Sequence, residues 1–303
     1  MAGSESTGSH TRASGRDTGG SGCVPAASAR DAGEPGRCQE FRARVWEHYD
    51  TGARTDLPWR GTRDPYRVLV SEIMLQQTSV GRVAPKYAEF LAAFPDVEAL
   101  ARAPLEDVLR AWRGLGYNRR ALALQRAAQA IVRDHGGHVP DTLEALISLP
   151  GVGHATAAQV LAFAFNVGVP FIETNVRSVY LHEFFAGAEE VPDAAILPLV
   201  VATLDAERPR EWFWALLDYG AYLKATHPNP SRRSRHHTVQ GRFEGSNRQL
   251  RGRLLAALTD GPGRTARELA EEVGFEPERV EAALAALHSE GLAASVEGRW
   301  RIG

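Results

Sequence analysis

The sequence predicts an all-α fold that carries a small module of three helices and a β-hairpin at its C-terminal end. Three observations support this. From about Glu40 to Ala225, apolar residues recur at intervals of three and four, and no stretch alternates as a half-buried strand would. Short loops rich in Gly and Pro cut this region into pieces of ordinary helix length. Beyond residue 248, three helical runs lead to two short β-like runs around Glu297-Gly298, the order of a winged helix, which docks on DNA or protein.

Residues 1–37 are dominated by Gly, Ser, Ala and Thr, have no aliphatic cluster, and predict a disordered tail. The tail lacks an apolar core, and Glu5, Asp17, Asp31 and Glu34 are out of place in a targeting peptide. Helical spacing then predicts helices over 66–78, 83–94, 104–114, 119–134, 143–149, 155–165, 176–185, 194–204 and 212–223. The C-terminal runs are 250–258, 265–273 and 276–289, followed by the hairpin within 292–302. The expected division is a tail over 1–37, a helical body over 38–226, a basic linker over 227–247 and a winged-helix-like module over 248–303.

At 303 residues and 44% hydrophobic, the chain can bury one large core or two moderate ones. It has no apolar run long enough to span a membrane. Its two cysteines, Cys23 and Cys38, lie in or beside the tail, so neither a disulfide nor a metal cluster is expected in the body. A reducing cytoplasmic setting, beside the nucleoid, fits this usage. Net charge is −2, but its distribution is uneven. Between Lys224 and Arg253 stand eight Lys or Arg against one acid, Glu244. That strip, with Arg232, Arg233 and Arg235 at its centre, reads as phosphate-facing or as a solvated linker.

Leu149-Pro-Gly-Val-Gly153 is followed at once by the small-residue run His154-Ala-Thr-Ala-Ala-Gln-Val-Leu161. Pro150 ends one helix, and Gly151 and Gly153 on either side of Val152 allow a tight turn into the next. The second helix begins with unshielded amides, a ready anion site, which on DNA would hold a backbone phosphate. The same five residues also suit a simple packing corner between helices.

Glu72 lies between Leu69, Ile73 and Leu75 in a strongly apolar helical run. Burial there raises a carboxyl's pKa and suits a general acid. A Glu turned to solvent beside Gln76 and Gln77 is the other reading.

Trp59-Arg60, Ser71-Glu-Ile-Met-Leu-Gln-Gln-Thr78, Gly114-Leu-Gly-Tyr117, Leu149-Pro-Gly-Val-Gly153 and Pro170-Phe-Ile-Glu-Thr-Asn-Val176 follow one another in that order. The set resembles the helix-hairpin-helix (HhH-GPD) DNA glycosylases, and is most similar to adenine glycosylases of the MutY type, over roughly Glu40 to Lys224. The resemblance implies a two-lobed helical domain over 38–226, working as a monomer on double-stranded DNA with a mismatch or lesion. It implies that Glu72 protonates the departing purine, Gln77 wedges into the duplex, and Tyr117 contacts DNA near the lesion pair. It also implies that Trp59, Arg60 and Asp218 line the base pocket. Breaking an N-glycosidic bond builds positive charge on the sugar, so a second carboxylate is needed, and the base must first leave the stack. The family holds an aspartate where this chain has Glu173, with Asn175 as polar partner; Glu173 also suits a plain helix cap.

The chain departs from the family at three further places. Where lyase relatives of the endonuclease III type hold a lysine, two residues past the hairpin, stands Ala155. The only lysines, Lys86 and Lys224, lie far in sequence from the motifs. The expectation is a monofunctional enzyme without a Lys-dependent abasic-site lyase. The family's four cluster cysteines are missing from 227–237, so no iron–sulfur cluster is expected, and the irregular His227, His236 and His237 do not suggest a metal. The module over 248–303 stands where the family reads 8-oxoguanine. The leading expectation is therefore removal of adenine in base excision repair, with an unidentified enzyme taking the abasic product. The alternatives are a mismatch thymine or uracil glycosylase and a non-catalytic DNA-binding protein.

Overall fold

The computed structural model of the chain describes residues 35–238 and 241–303. The expected tail therefore lies outside the described residues up to position 34. Its last three residues are helical, because α1 (Pro35–Gly52) already begins there. A 3₁₀ turn at Pro58–Gly61 leads to α2 (Pro65–Leu75), α3 (Val80–Ala93), α4 (Val97–Arg102), α5 (Leu105–Ala111) and α6 (Arg119–His135). Then come α7 (Leu143–Ser148), α8 (His154–Val160), α9 (Thr174–Phe184), α10 (Asp193–Thr203) and α11 (Pro209–Thr226). A second 3₁₀ turn at Pro230–Arg233 precedes α12 (Asn247–Thr259), α13 (Ala266–Val273), α14 (Pro277–Glu290) and the strands β1 (Ala293–Val296) and β2 (Arg299–Ile302).

Local chemistry sets the ends of the elements that matter most. Asp64 caps α2, accepting from the amides of Tyr66 (2.9 Å) and Arg67 (3.2 Å), with Pro65 in the first turn. The helix stops at Leu75 because Gln77 takes a left-handed backbone, φ 55°. The predicted helix over 155–165 is α8 plus a wider turn over Leu161–Phe165, closed by the Val167 amide on the Leu161 carbonyl at 3.0 Å. Both α1 and α4 are additions to the predicted set. Only Cys38, Phe41 and Val45 of α1's eighteen residues are buried, and α4 buries only Val97 and Leu100.

Helices α2 to α8 form one group, and α1 with α9, α10 and α11 form another, around one continuous core. Trp112, Trp212, Tyr180, Phe90 and Phe171 anchor it with almost no exposed surface. The C-terminal module has the predicted order of three helices and an antiparallel hairpin, with Ala293 opposite Ile302 and Val296 opposite Arg299. Its two-residue turn places Glu297 and Gly298 at positive φ, which matches the twist of the strands. The module leans on α5 and the turn after it: Arg110 donates to the Thr259 carbonyl (3.0 Å), and Arg113 to the Thr259 hydroxyl (2.8 Å) and Asp260 (2.7 Å).

Candidate active site

A cleft of about 740 Å³ opens between the two helix groups. Its walls are the C-terminal part of α2, the start of α8, the entry to α9 and one face of α11. Glu72, Glu173 and Asn175 meet in it, together with Trp59, Arg60 and Gln77.

Glu72 does not turn to solvent. It is buried, 6% exposed, and its pKa is pushed up from 4.5 to about 8. Burial is the main cause, the negative charge of Glu173 adds to it, and Arg60 pulls the other way. At neutral pH it is a protonated acid. Glu173 is half-buried by surface and is both a cap and a cleft residue. Its Oε1 accepts from the amides of Asn175 (2.5 Å) and Val176 (2.8 Å), while its Oε2 takes only the Asn175 side-chain amide at 3.3 Å. Burial raises its pKa, and the Val176 amide, Lys224 and the Asn175 amide oppose that rise. The extra methylene relative to aspartate is thus folded back onto the first turn of α9. Gly220 makes this approach possible, since a Cβ there would lie 2.4 Å from the Asn175 carbonyl oxygen.

Asp218 corrects the sequence reading. It lies behind the cleft wall and lines no part of it. Arg60 donates to both its oxygens (2.7 and 2.8 Å), and Arg54 adds a side-chain bond at 2.5 Å and a backbone bond at 3.2 Å. Burial would raise the Asp218 pKa, but Arg60 and Arg54 hold it below the usual carboxylate value. Arg60 also stands 5.3 Å from the Trp214 ring, and Trp59 packs edge-on against Tyr87. Of the three predicted pocket residues, Trp59 and Arg60 form wall and Asp218 supports Arg60 from behind.

Gln76 and Gln77 are shared with a second groove of about 470 Å³ on the other side of the loop, lined by Tyr117, Arg119, Arg248, Arg251 and Glu290 among others. Tyr117, like Gln77, has a left-handed backbone, φ 50°. Arg120 ties the two loops together. It donates to the carbonyls of Ile73 (3.0 Å), Met74 (2.9 Å), Gln76 and Gly116 (3.1 Å), and to the Thr78 hydroxyl at 2.9 Å. Nothing in the sequence pattern singled out Arg120.

The hairpin forms the predicted turn. Gly151 has φ 78°, Val152 is buried, and Gly153 opens α8 without any side-chain cap. Gly151 also packs, because a Cβ there would meet Ala123 at 2.6 Å, so corner and exposed helix start are both present. Only Gly153 of the three reaches the cleft, where Gln76 bridges to Thr156 at 3.1 Å.

The basic strip is divided in use, which corrects its reading as one phosphate-facing surface. Arg233 donates to the carbonyls of Phe185 (2.6 Å) and Leu181 (2.8 Å), closing the end of α9. Arg251 pairs with Glu290 (2.5 Å), and Arg253 bonds the Val273 carbonyl (2.9 Å). Arg232 and Arg235 are exposed and line neither groove. Lys224 is a further correction: distant from the motifs in sequence, it lines the cleft itself. Arg54, Trp214 and Gln159 are other cleft residues that sequence reasoning missed.

A four-thiolate iron–sulfur cluster does not fit these residues. The whole chain has two cysteines, and Cys38 is buried in α1. Among the described residues no three His, Cys, Asp or Glu side chains group as metal ligands.

Comparison with known proteins bears on this geometry. A family model described as HhH-GPD superfamily base excision DNA repair protein matches residues 70–206. An adenine DNA glycosylase of Mycobacterium tuberculosis is 39% identical over 230 residues, 67% of this chain and 73% of that one. Another, from Mycolicibacterium smegmatis, is 34% identical over 270 residues, 82% of this chain and 92% of that one. A solved thermostable thymine-DNA glycosylase matches with TM-score 0.57 at 26% identity, over 64% of this chain and 91% of that one. A non-covalent endonuclease III–DNA complex shares the fold at TM-score 0.54 and 22% identity, over 62% of this chain and 88% of that one.

Proposed function

Since the chain belongs to the HhH-GPD superfamily of base excision DNA repair proteins, and within it to the adenine DNA glycosylases, we propose that it removes adenine from mispaired double-stranded DNA by hydrolysis. One observation carries the reading: a buried acid with pKa about 8, Glu72, shares a single cleft with a second carboxylate, Glu173. The flipped base enters between Trp59 and Arg60. Glu72 gives its proton to a ring nitrogen of the purine, and the bond from that base to C1′ breaks. Glu173 faces the positive charge that develops on the sugar, and water then adds to C1′. The stretched carboxylate works from its Oε2, because Oε1 is held by two backbone amides.

On this reading base release needs no amine, which agrees with Ala155 beyond the hairpin. No iron–sulfur cluster is assigned to the chain, on the ground of its two cysteines. Gln77 and Tyr117 enter the duplex, the Gly151–Gly153 turn meets a phosphate, and the protein acts as a monomer in the cytoplasm. The likeness to a thymine-DNA glycosylase supports a second reading, removal of thymine or uracil from a mispair.

Duplexes holding A, T or U opposite G or 8-oxoguanine separate the two. Release of adenine is the expected result, and release of T or U alone selects the second reading. No release from any of them, by protein that still binds the duplex, defeats both and leaves a DNA-binding protein without catalysis. Glu72→Gln should abolish release while leaving binding in place.

A further inference from the structure

Lys224 is the titratable group of the cleft that base removal leaves without a task. It ends a stripe on α11 with Trp214, Leu217 and Ala221, spaced three, four and three residues apart, all facing the cavity that holds Glu72 and Glu173. Among the described residues its amine makes neither a hydrogen bond nor a salt bridge. Half-burial lowers its pKa below that of an ordinary lysine; the charge of Glu173 opposes that shift and Arg54 adds to it. The other lysine, Lys86, sits on α3 in an ion pair with Glu89 at 2.5 Å and lines no part of the cleft. A partly desolvated amine that no hydrogen bond or salt bridge ties down is a nucleophile for carbonyl carbon.

Base removal creates such a carbon in the same cleft. The abasic deoxyribose opens to an aldehyde at C1′. We propose that Lys224 captures this aldehyde as an imine after the base has left, so that the enzyme holds its product covalently and reversibly. The neutral Nζ attacks C1′ and forms the C–N bond. The carbonyl oxygen takes up the two amine protons and leaves as water, and hydrolysis returns lysine and aldehyde unchanged. Nothing is oxidised or reduced, and no strand bond breaks. The capture rests on the proposed function only in taking that reaction's product as its substrate, and it is separate from base release.

The test uses the full chain with a duplex carrying a preformed abasic site, so that no base has to be removed. Sodium borohydride reduces an imine to a stable amine, seen as a protein–DNA band on a denaturing gel. The wild type should give that band, and mass mapping should place the adduct on Lys224. Lys224→Arg keeps the charge but cannot form the imine, so its band should fall about tenfold or more. Lys86→Arg should match the wild type. No band from wild type, an adduct on Lys86 or the N-terminal amine, or an undiminished band from Lys224→Arg would each overturn the inference. If Lys224→Arg does not fold, the wild-type adduct map decides alone. Parallel excision assays keep the two proposals apart: release without an adduct removes only the capture, and an adduct without release removes only the glycosylase reading.

Discussion

Glu72→Gln tests the buried acid through stability as well as through chemistry. Gln has the size of the protonated carboxyl and cannot ionise. The folded protein holds Glu72 at a pKa of about 8, against 4.5 for the exposed group. Below pH 4.5 both folded and unfolded chains keep the proton, and this group adds no dependence on pH. Between 4.5 and 8 only the folded chain keeps it, so stability falls as pH rises. Above pH 8 both forms are ionised and the penalty is constant. At about 1.4 kcal/mol per pKa unit, the wild type loses about 3 kcal/mol by pH 7 and about 5 kcal/mol above pH 8.

Gln escapes that loss. Urea unfolding of both proteins at pH 5, 7 and 9 should therefore show the variant gaining on the wild type as pH rises. The difference should be under about 1 kcal/mol at pH 5 and largest at pH 9. The same variant should release no base. A difference that stays flat across pH, or a variant less stable than wild type at pH 9, would show that Glu72 is not held protonated by burial.

Gly220→Ala drives a Cβ against the Asn175 backbone, so it should cost about 1–3 kcal/mol and lower the excision rate by displacing Glu173; thermal melts and single-turnover assays read the two effects. Arg120→Lys cannot span the carbonyls that fix the Gln77 and Tyr117 loops, so it should lose about 2 kcal/mol and weaken duplex binding in gel shifts. Asp218→Asn removes the charge that neutralises Arg60. The alkaline limb of the excision rate, expected near pH 8 in the wild type, should move to lower pH, which a pH–rate profile measures.

Much of the fold was legible because apolar residues recur at intervals of three and four and short loops rich in Gly and Pro separate the pieces. The nine predicted body helices each have an observed counterpart, and the hairpin turn at Glu297-Gly298 follows from its residues. The shortfall has local causes. Helix α1 buries three side chains on a narrow stripe, and α4 buries only two, Val97 and Leu100. In the site, Glu72 was readable from the apolar run around it. Lys224 was not, because α11 brings it to the cleft across some fifty residues from Glu173. Arg120 was hidden for a different reason: apart from the Thr78 hydroxyl its hydrogen-bond acceptors are backbone carbonyls, which leave no mark in side-chain patterns.

Asp218 shows how a motif residue can be well located and still have another role. Behind the wall, it holds Arg60 in a two-pronged pair and takes a third and a fourth bond from Arg54. Arg60 left alone would draw Glu72 toward its ionised form, since its charge already opposes the rise in the Glu72 pKa. Pairing with Asp218 moderates that pull while keeping a flat guanidinium against Trp214 at the mouth of the pocket. Burying this pair is favourable only with its hydrogen bonds complete. The four donors on Asp218 meet that condition, so the charge that protects the acid of Glu72 also fixes the wall on which the base is received.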